Sequence, residues 1–437
     1  MKVDHAHGKS TRRVLVLGGL LTTFGCFSDA PELMSTSAGG GPVGGGGPAS
    51  GETENDSTAT ATTTDTDATA PTADETLDPD PTDGPTTGQC GDGEVTPGQL
   101  CFDETSVIMA NDATSTGRLG NVTGTSEVDL VYLISTQVVV QAGDGAGNWA
   151  RPIFDASVLA GRIELAHLDD DGELDLALLE AGGQVSVLLG SGLGSFAARG
   201  TMAVTADAST LALGDLDGDG NLDLLVGTGP SGLLHVLRSG GDGSLLPLAP
   251  LPVAGQVTGI AVADFDGDAN LDAALSVSGS TSATWLALGL GDGQLMTPQA
   301  VSSLASEGTD VAAGDFDGDG FTDIAYVTAA PPSLVVQRGD GAGGFDTELS
   351  IDTGVAPQAL LAADLSSDGR HELVVGHANR QQLRIFSLGA ELQEALAVPL
   401  AATVDDLAIG DANEDGLLDI VATSSGAQLV TVVLSTP

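Results

Sequence analysis

A nine-residue acidic pattern returns seven times between residue 121 and the C-terminus, at starts 121, 167, 215, 264, 315, 364 and 411, so that successive copies lie 46 to 51 residues apart. Self-similarity at a fixed period of this size restricts a chain to a stack or ring of identical supersecondary units. Four copies are intact: Asp215 to Asp223, Asp264 to Asp272, Asp315 to Asp323 and Asp411 to Asp419. Three are weaker: His167 to Asp175, Asp364 to Glu372, and a worn first copy from Asn121 to Asp129.

Each acidic cluster lies between short runs of strand character, as in Thr210–Gly214 before one copy and Leu222–Gly227 after it. The cluster therefore reads as the turn of a hairpin. The residue before it is always small (Gly120, Ala166, Gly214, Ala263, Gly314, Ala363, Gly410), which predicts a close backbone approach. A third run follows, for example Val185–Leu189, and in four copies a Gly-Asp-Gly turn or its equivalent at 143, 241, 291 or 339 comes next. A looser fourth run, such as Ala249–Val253, leads into the next repeat. Four strands in about 48 residues without helical periodicity is the size of a β-propeller blade. The rival, a parallel β-helix, repeats its calcium motif about every nine residues. The fold class is thus all-β, a seven-bladed propeller over 104–437. Repeat seven ends at Val432–Leu434 with no room for a fourth strand, and the run Ser106–Ala110 has no blade of its own, so the N-terminal strand is expected to close the ring.

The pattern D-x-D-x-D-G-x-x-D brings side-chain oxygens from positions one, three, five and nine together with the backbone carbonyl of position seven, which is how a hard cation with six to eight oxygen ligands is wrapped. The candidate ligands are Asp215, Asp217, Asp219, Asn221 and Asp223; Asp264, Asp266, Asp268, Asn270 and Asp272; Asp315, Asp317, Asp319, Phe321 and Asp323; and Asp411, Asn413, Asp415, Leu417 and Asp419. Asp169, Asp171 and Asp175 of the 167 copy, and Asp364, Asp368 and Glu372 of the 364 copy, form reduced sets, with His167 a poor calcium ligand at position one. The expectation is about four Ca2+ sites, six at most, and none at 121. Solvated Asp/Gly turns are the plain alternative, but three or four carboxylates in nine residues repel one another unless a cation is shared.

These repeats resemble the FG-GAP and VCBS families, which include the propeller of integrin α chains. The resemblance covers about 104 to 437 and lies in the acidic loops, while turns such as Gly291–Leu295 and Gly341–Phe345 look more like VCBS repeats. It implies calcium-stabilised blades, extracellular placement, and binding of proteins or glycans on one face of the ring.

Charge narrows the partners. The chain carries 61 Asp or Glu against 13 Lys or Arg, a formal net charge of -48, and after Cys26 there are 60 acids and 9 arginines, a net -51. Such a surface repels phosphate, so no nucleic-acid partner is expected.

Residues 1–26 read as an export signal: a basic start through Arg12 and Arg13, the apolar run Val14–Leu21, then Gly25 and Cys26. The apolar stretch is too short for a stable membrane span. Gly25-Cys26 resembles the lipobox of bacterial lipoproteins, with Thr23 and Phe24 in place of its usual residues, and implies lipidation at Cys26; Arg12-Arg13 weakly resembles a twin-arginine signal. Membrane contact would then run through the N-terminal lipid only. Residues 27–89, rich in Gly, Ser, Thr, Pro and Asp, cannot offset their ordering entropy and read as a disordered linker. In the short segment 90–103, Cys90 and Cys101 are expected to form a disulfide in an oxidising compartment, since no second cysteine pair or nearby histidine supports a metal site. The segment resembles the short cysteine-rich repeats of secreted bacterial proteins.

The functional expectation is an extracytoplasmic module, on the outer membrane or cell surface or secreted, that binds a protein or polysaccharide ligand as a non-enzymatic monomer. A propeller-based hydrolase or lyase is the alternative. Its support is thin, because G-x-S-x-G and H-E-x-x-H motifs are absent and the histidines are scattered. A pair of acids facing the central channel would revive it. Arg338-Gly-Asp340 spells an integrin-ligand tripeptide but overlaps the second-turn position, and Trp149 and Trp285 fall where core packing is the usual role.

Overall fold

The computed structural model describes residues 97–436, apart from 111, 136, 159–160, 303–305 and 347. The signal segment, Cys26, the linker and Cys90 lie outside the described residues. The described chain is all strand and turn, arranged as seven antiparallel blades of four strands. Blade two illustrates the order: Gly161–Ala166 innermost, then Asp175–Glu180, Gln184–Gly190 and Phe196–Ala203. In blade three the outer strand is split into Leu245–Pro247 and Leu251–Pro252, both paired to Leu233–Ser239. Pro247, Pro250 and Pro252 lack the N–H a continuous ladder would need.

Ring closure follows the sequence expectation, with a longer strand. Phe102–Met109 pairs antiparallel with Leu429–Ser435, from Phe102 opposite Ser435 to Met109 opposite Leu429, and supplies the outer strand of blade seven. The first and last strands of the ring are thereby held in one sheet, and closure leaves only short, protected strand edges.

The core is divided among the blade junctions. Seven clusters of buried apolar side chains each draw on two adjacent blades, including one joining blade seven to blade one. Alternation along a strand sends neighbours to opposite junctions. Leu211 and Leu213 of blade three pack on blade two, while Ala212 between them packs on blade four. Burial on both faces explains why the inner strands read as unbroken apolar runs rather than as alternating ones. The small residue before each acidic loop has the expected cause: a Cβ on Gly214 would lie 2.8 Å from Val262 of the next blade.

Candidate metal loops and the central funnel

Every acidic cluster is the turn between the first and second strands of its blade, so the seven turns share one end of the ring. Within a turn, the position-one carboxylate folds the loop around itself. Asp315 accepts the N–H of Gly318 at 2.7 Å on one oxygen and that of Gly320 at 2.9 Å on the other. Asp219, Asp268, Asp319, Asp368 and Asp415 at position five each accept the position-seven N–H at 2.8 to 2.9 Å. Position six has a left-handed backbone in these loops, usually as glycine, and in the 264 loop it is Ala269 at φ 70°.

Position nine does something the ligand pattern did not indicate. Asp223, Asp272, Asp323 and Asp419 are buried, and each accepts the position-two N–H on Oδ2 and an N–H just past or at the end of the third strand on Oδ1. Asp175 makes the same pair of bonds, to Leu168 and Gly190. Asp129 of the worn copy does as well, to Val122 and Gly143, so this acid is structural even where the rest of the ligand set is gone. Glu372, one methylene longer, instead turns both oxygens onto its own loop, at Leu365 and Ser366. Burial, partly offset by these N–H bonds, raises Asp175, Asp223, Asp272 and Asp419 to about 6 and Asp323 and Glu372 to about 7. Neighbouring loop carboxylates add to the rise.

Three carboxylate ligand atoms converge within 4.8 Å in four loops: Asp169, Asp171, Asp175; Asp215, Asp217, Asp219; Asp264, Asp266, Asp272; and Asp315, Asp317, Asp323. The reduced 167 copy is among them. Its His167 Nδ1 lies 2.8 Å from the carbonyl of Glu173, the position-seven oxygen of the pattern. In the 411 loop the amide of Asn413 instead bonds Asp415 at 3.0 Å. In the 364 loop Arg370 at position seven pairs with Asp368 at 2.6 Å. Two further loops hold an arginine from their own blade: Arg238 ion-pairs Asp217, and Arg338 pairs Asp317 at 3.2 Å.

The second turns connect blades. The N–H groups of Gly194, Gly243, Gly293 and Gly343 donate to the position-two carbonyls of Val122, Leu168, Leu216 and Phe265 in the preceding blade, at 2.7 to 3.2 Å. Gly98, just ahead of the ring-closing strand, donates to Ser366 at 2.9 Å, and Leu100 packs against the junction of blades six and seven. The run Gly98-Gln-Leu100 repeats Gly293-Gln-Leu295 of a second turn, a likeness that spacing counted from the acidic loops passes over. Cys101 is buried beside it. Arg338-Gly-Asp340 is consumed by the fold: Arg338 holds Asp317, Gly339 N–H meets Asp323, and Asp340 accepts from Ala342 and Gly344. Trp149 and Trp285 pack against junction clusters.

The opposite end of the ring carries a polar funnel of about 280 Å³, lined from blades two to seven by residues that include Arg162, Gln256, Asp310, Gln358, Asp405 and Asp406. Beneath it Arg118 of blade one lies buried between Glu164 of blade two and Asp406 of blade seven, at 2.7 Å from each. These residues were not legible as a site in the sequence. The available signal was an arginine inside an inner strand of a chain that has nine after Cys26.

These features define a seven-bladed β-propeller with acidic hairpin turns. A family model described as FG-GAP-like repeat matches residues 167–226, 215–275 and 315–375, and the chain carries FG-GAP-like repeats. The fold is similar to that of BBS1N, crystallised in complex with ARL6DN and soaked with mercury, at TM-score 0.57 and 13% identity over 77% of this chain and 97% of that one. It is also similar to an Agrocybe aegerita lectin whose structure addresses recognition of non-reducing terminal N-acetylglucosamine, at TM-score 0.51 and 18% identity over 78% of this chain and 87% of that one. No curated protein matches the sequence.

Proposed function

We propose that the protein is an exported, calcium-stabilised binding module, tethered through a lipid on Cys26 and closed by a Cys90–Cys101 disulfide, that presents a rigid ring to a protein or glycan. The observation that carries this reading is the convergence of three carboxylates within 4.8 Å in four separate hairpin turns. The donor set is all oxygen and partly buried, which fits a hard cation. The named acids would hold it, and the ion when bound supplies charge neutralisation and a clamp on the turn. The lectin of similar fold supports a glycan among the candidate ligands.

The test is thermal melting in excess chelator and then in millimolar calcium. A clear rise with calcium is expected, about 2.7 kcal/mol per site at a hundredfold excess over Kd. An unchanged melting curve overturns the clamp.

One observation favours the second reading, a hydrolase or lyase: Asp310 and Asp406 both line the funnel. Asp406, however, is engaged by Arg118 on one oxygen and faces Arg162 on the other, so it is not free to act on a substrate. Turnover of a polysaccharide that is lost in Asp310→Asn would establish the enzyme.

A further inference from the structure

The funnel lies away from the acidic turns, and its lining is unusual in what it leaves free. Its hydroxyls are already spent on the protein: Ser209 donates to Val257, Thr258 to Gly308 and Thr309 to Pro357, each across a blade junction at 2.9 to 3.2 Å. Among the described residues no aromatic ring lines it, so a sugar finds no platform there to stack on. The other polar side chains among the described lining residues are the carboxyls of Asp310, Asp405 and Asp406, the amides of Gln256 and Gln358, and one cation, Arg162. Arg162 is itself engaged, with Nε donating to Ser209 at 3.0 Å and Nη1 lying 3.6 Å from Asp406. Asp406 is further neutralised by Arg118, and Asp405 accepts twice from Ser425.

Asp310 and Asp405 have no cationic hydrogen-bond partner among the contacts described; Asp405 is held by Ser425, and the two Asp310 oxygens each accept one backbone N–H, from Val311 and Leu360, both at 2.9 Å. We propose that the funnel binds a primary ammonium group on a slim chain, as in a polyamine or a lysine side chain, with Asp310 as its counter-carboxylate. A compact ammonium with three donors suits acceptors spread over several blades. A bidentate guanidinium would have to share each Asp310 oxygen with the backbone N–H it already holds, whereas an ammonium needs one remaining lone pair and can turn its other donors to the amides. The chain's net charge of -48 draws cations toward the opening.

Uptake carries a proton signature. Burial raises the Asp310 carboxyl to about 7, opposed by its backbone bonds and by Arg162 and raised further by Asp406. Arg118 and Glu164 form a mutual pair deeper in the ring. Below that pH an incoming ammonium meets a carboxylic acid, and the proton leaves to buffer as the ammonium–carboxylate pair forms.

This inference rests on the binding-module reading, and the experiment separates the two. Full-length protein in millimolar calcium is titrated calorimetrically near pH 6.5 with spermidine, and separately with Nα-acetyl-lysine amide, in two buffers of different protonation enthalpy. Binding is expected with proton release, weakened about tenfold in Asp310→Asn with the release abolished. Arg162→Gln, which removes the lining cation, is expected to tighten binding and keeps the test alive if Asp310→Asn fails to fold. Asp292→Asn, on an exposed second turn, controls for general attraction to an acidic surface. Binding of spermidine alone identifies a free polyamine as the source, and binding of the lysine amide identifies a protein side chain. Affinity indifferent to Asp310 and Arg162 overturns the proposal while a calcium-induced rise in melting leaves the module reading standing; conversion of the ligand to a product removes that reading instead.

Discussion

The Asp323 carboxylate accepts the backbone N–H of Gly339 at 2.8 Å, tying the last position of an acidic turn to the residue just beyond the third strand of its own blade. Its other oxygen takes the N–H of Phe316 at 2.9 Å. Asp323→Asn replaces one of two buried acceptors by a donor and is expected to cost about 1–3 kcal/mol. Asp129→Asn should cost a similar amount although its loop lacks the other acids. In denaturant titrations with and without calcium, the Asp129 variant should retain the full calcium increment, whereas Asp323→Asn should reduce it.

Arg338 occupies the space beside Asp317 that a cation would share. Arg338→Gln should lower stability in chelator and regain it in calcium, so that the calcium-induced increment exceeds that of the wild type by about 1 kcal/mol. Parallel melts of the two proteins measure the difference.

Ala269 holds a left-handed backbone at φ 70° where the corresponding residues of neighbouring loops are glycine. Nothing crowds a side chain at the matching Gly220, Gly320 and Gly416, so the cost there is one of conformation rather than of contact. Ala269→Gly should stabilise the protein by about 0.5–1 kcal/mol, read from the urea midpoint at constant slope.

Arg118 joins blades one, two and seven through Glu164 and Asp406. Arg118→Met strands two buried carboxylates and is expected to destabilise by about 3–5 kcal/mol. Adding Glu164→Gln to that variant should recover part of the loss, and a double-mutant cycle gives the coupling.

Asp310 has a folded-state value of about 7, above its unfolded one, because burial disfavours its charge. A carboxyl raised in this direction contributes stability below the unfolded value, near pH 4, and loses it as pH climbs toward 7. Without ligand, wild-type stability measured in chelator should therefore fall more steeply across that window than that of Asp310→Asn. Identical slopes would sink the assignment.

Most of the architecture was legible. The 46- to 51-residue spacing, the hairpin turns and the missing fourth strand of repeat seven point to a closed seven-bladed ring, and the pairing of Phe102–Met109 with Leu429–Ser435 completes it. The candidate ligands were legible as a pattern because a cation-wrapping loop is a local object, nine residues long. Its second duty at position nine was not, since the partner N–H of Asp223 belongs to Ser239, sixteen residues on, across a third strand whose register the sequence does not display.

The sequence by itself determined the repeat, the fold class and the acidic turns, because each depends on neighbours within one blade. The tertiary structure alone decided which acids are cross-braced, which turns hold an arginine, and that Arg118, Glu164, Asp310 and Asp406 meet around one axis. Glu164 and Asp406 stand 242 positions apart, and only closure of the ring brings their strands to the same arginine.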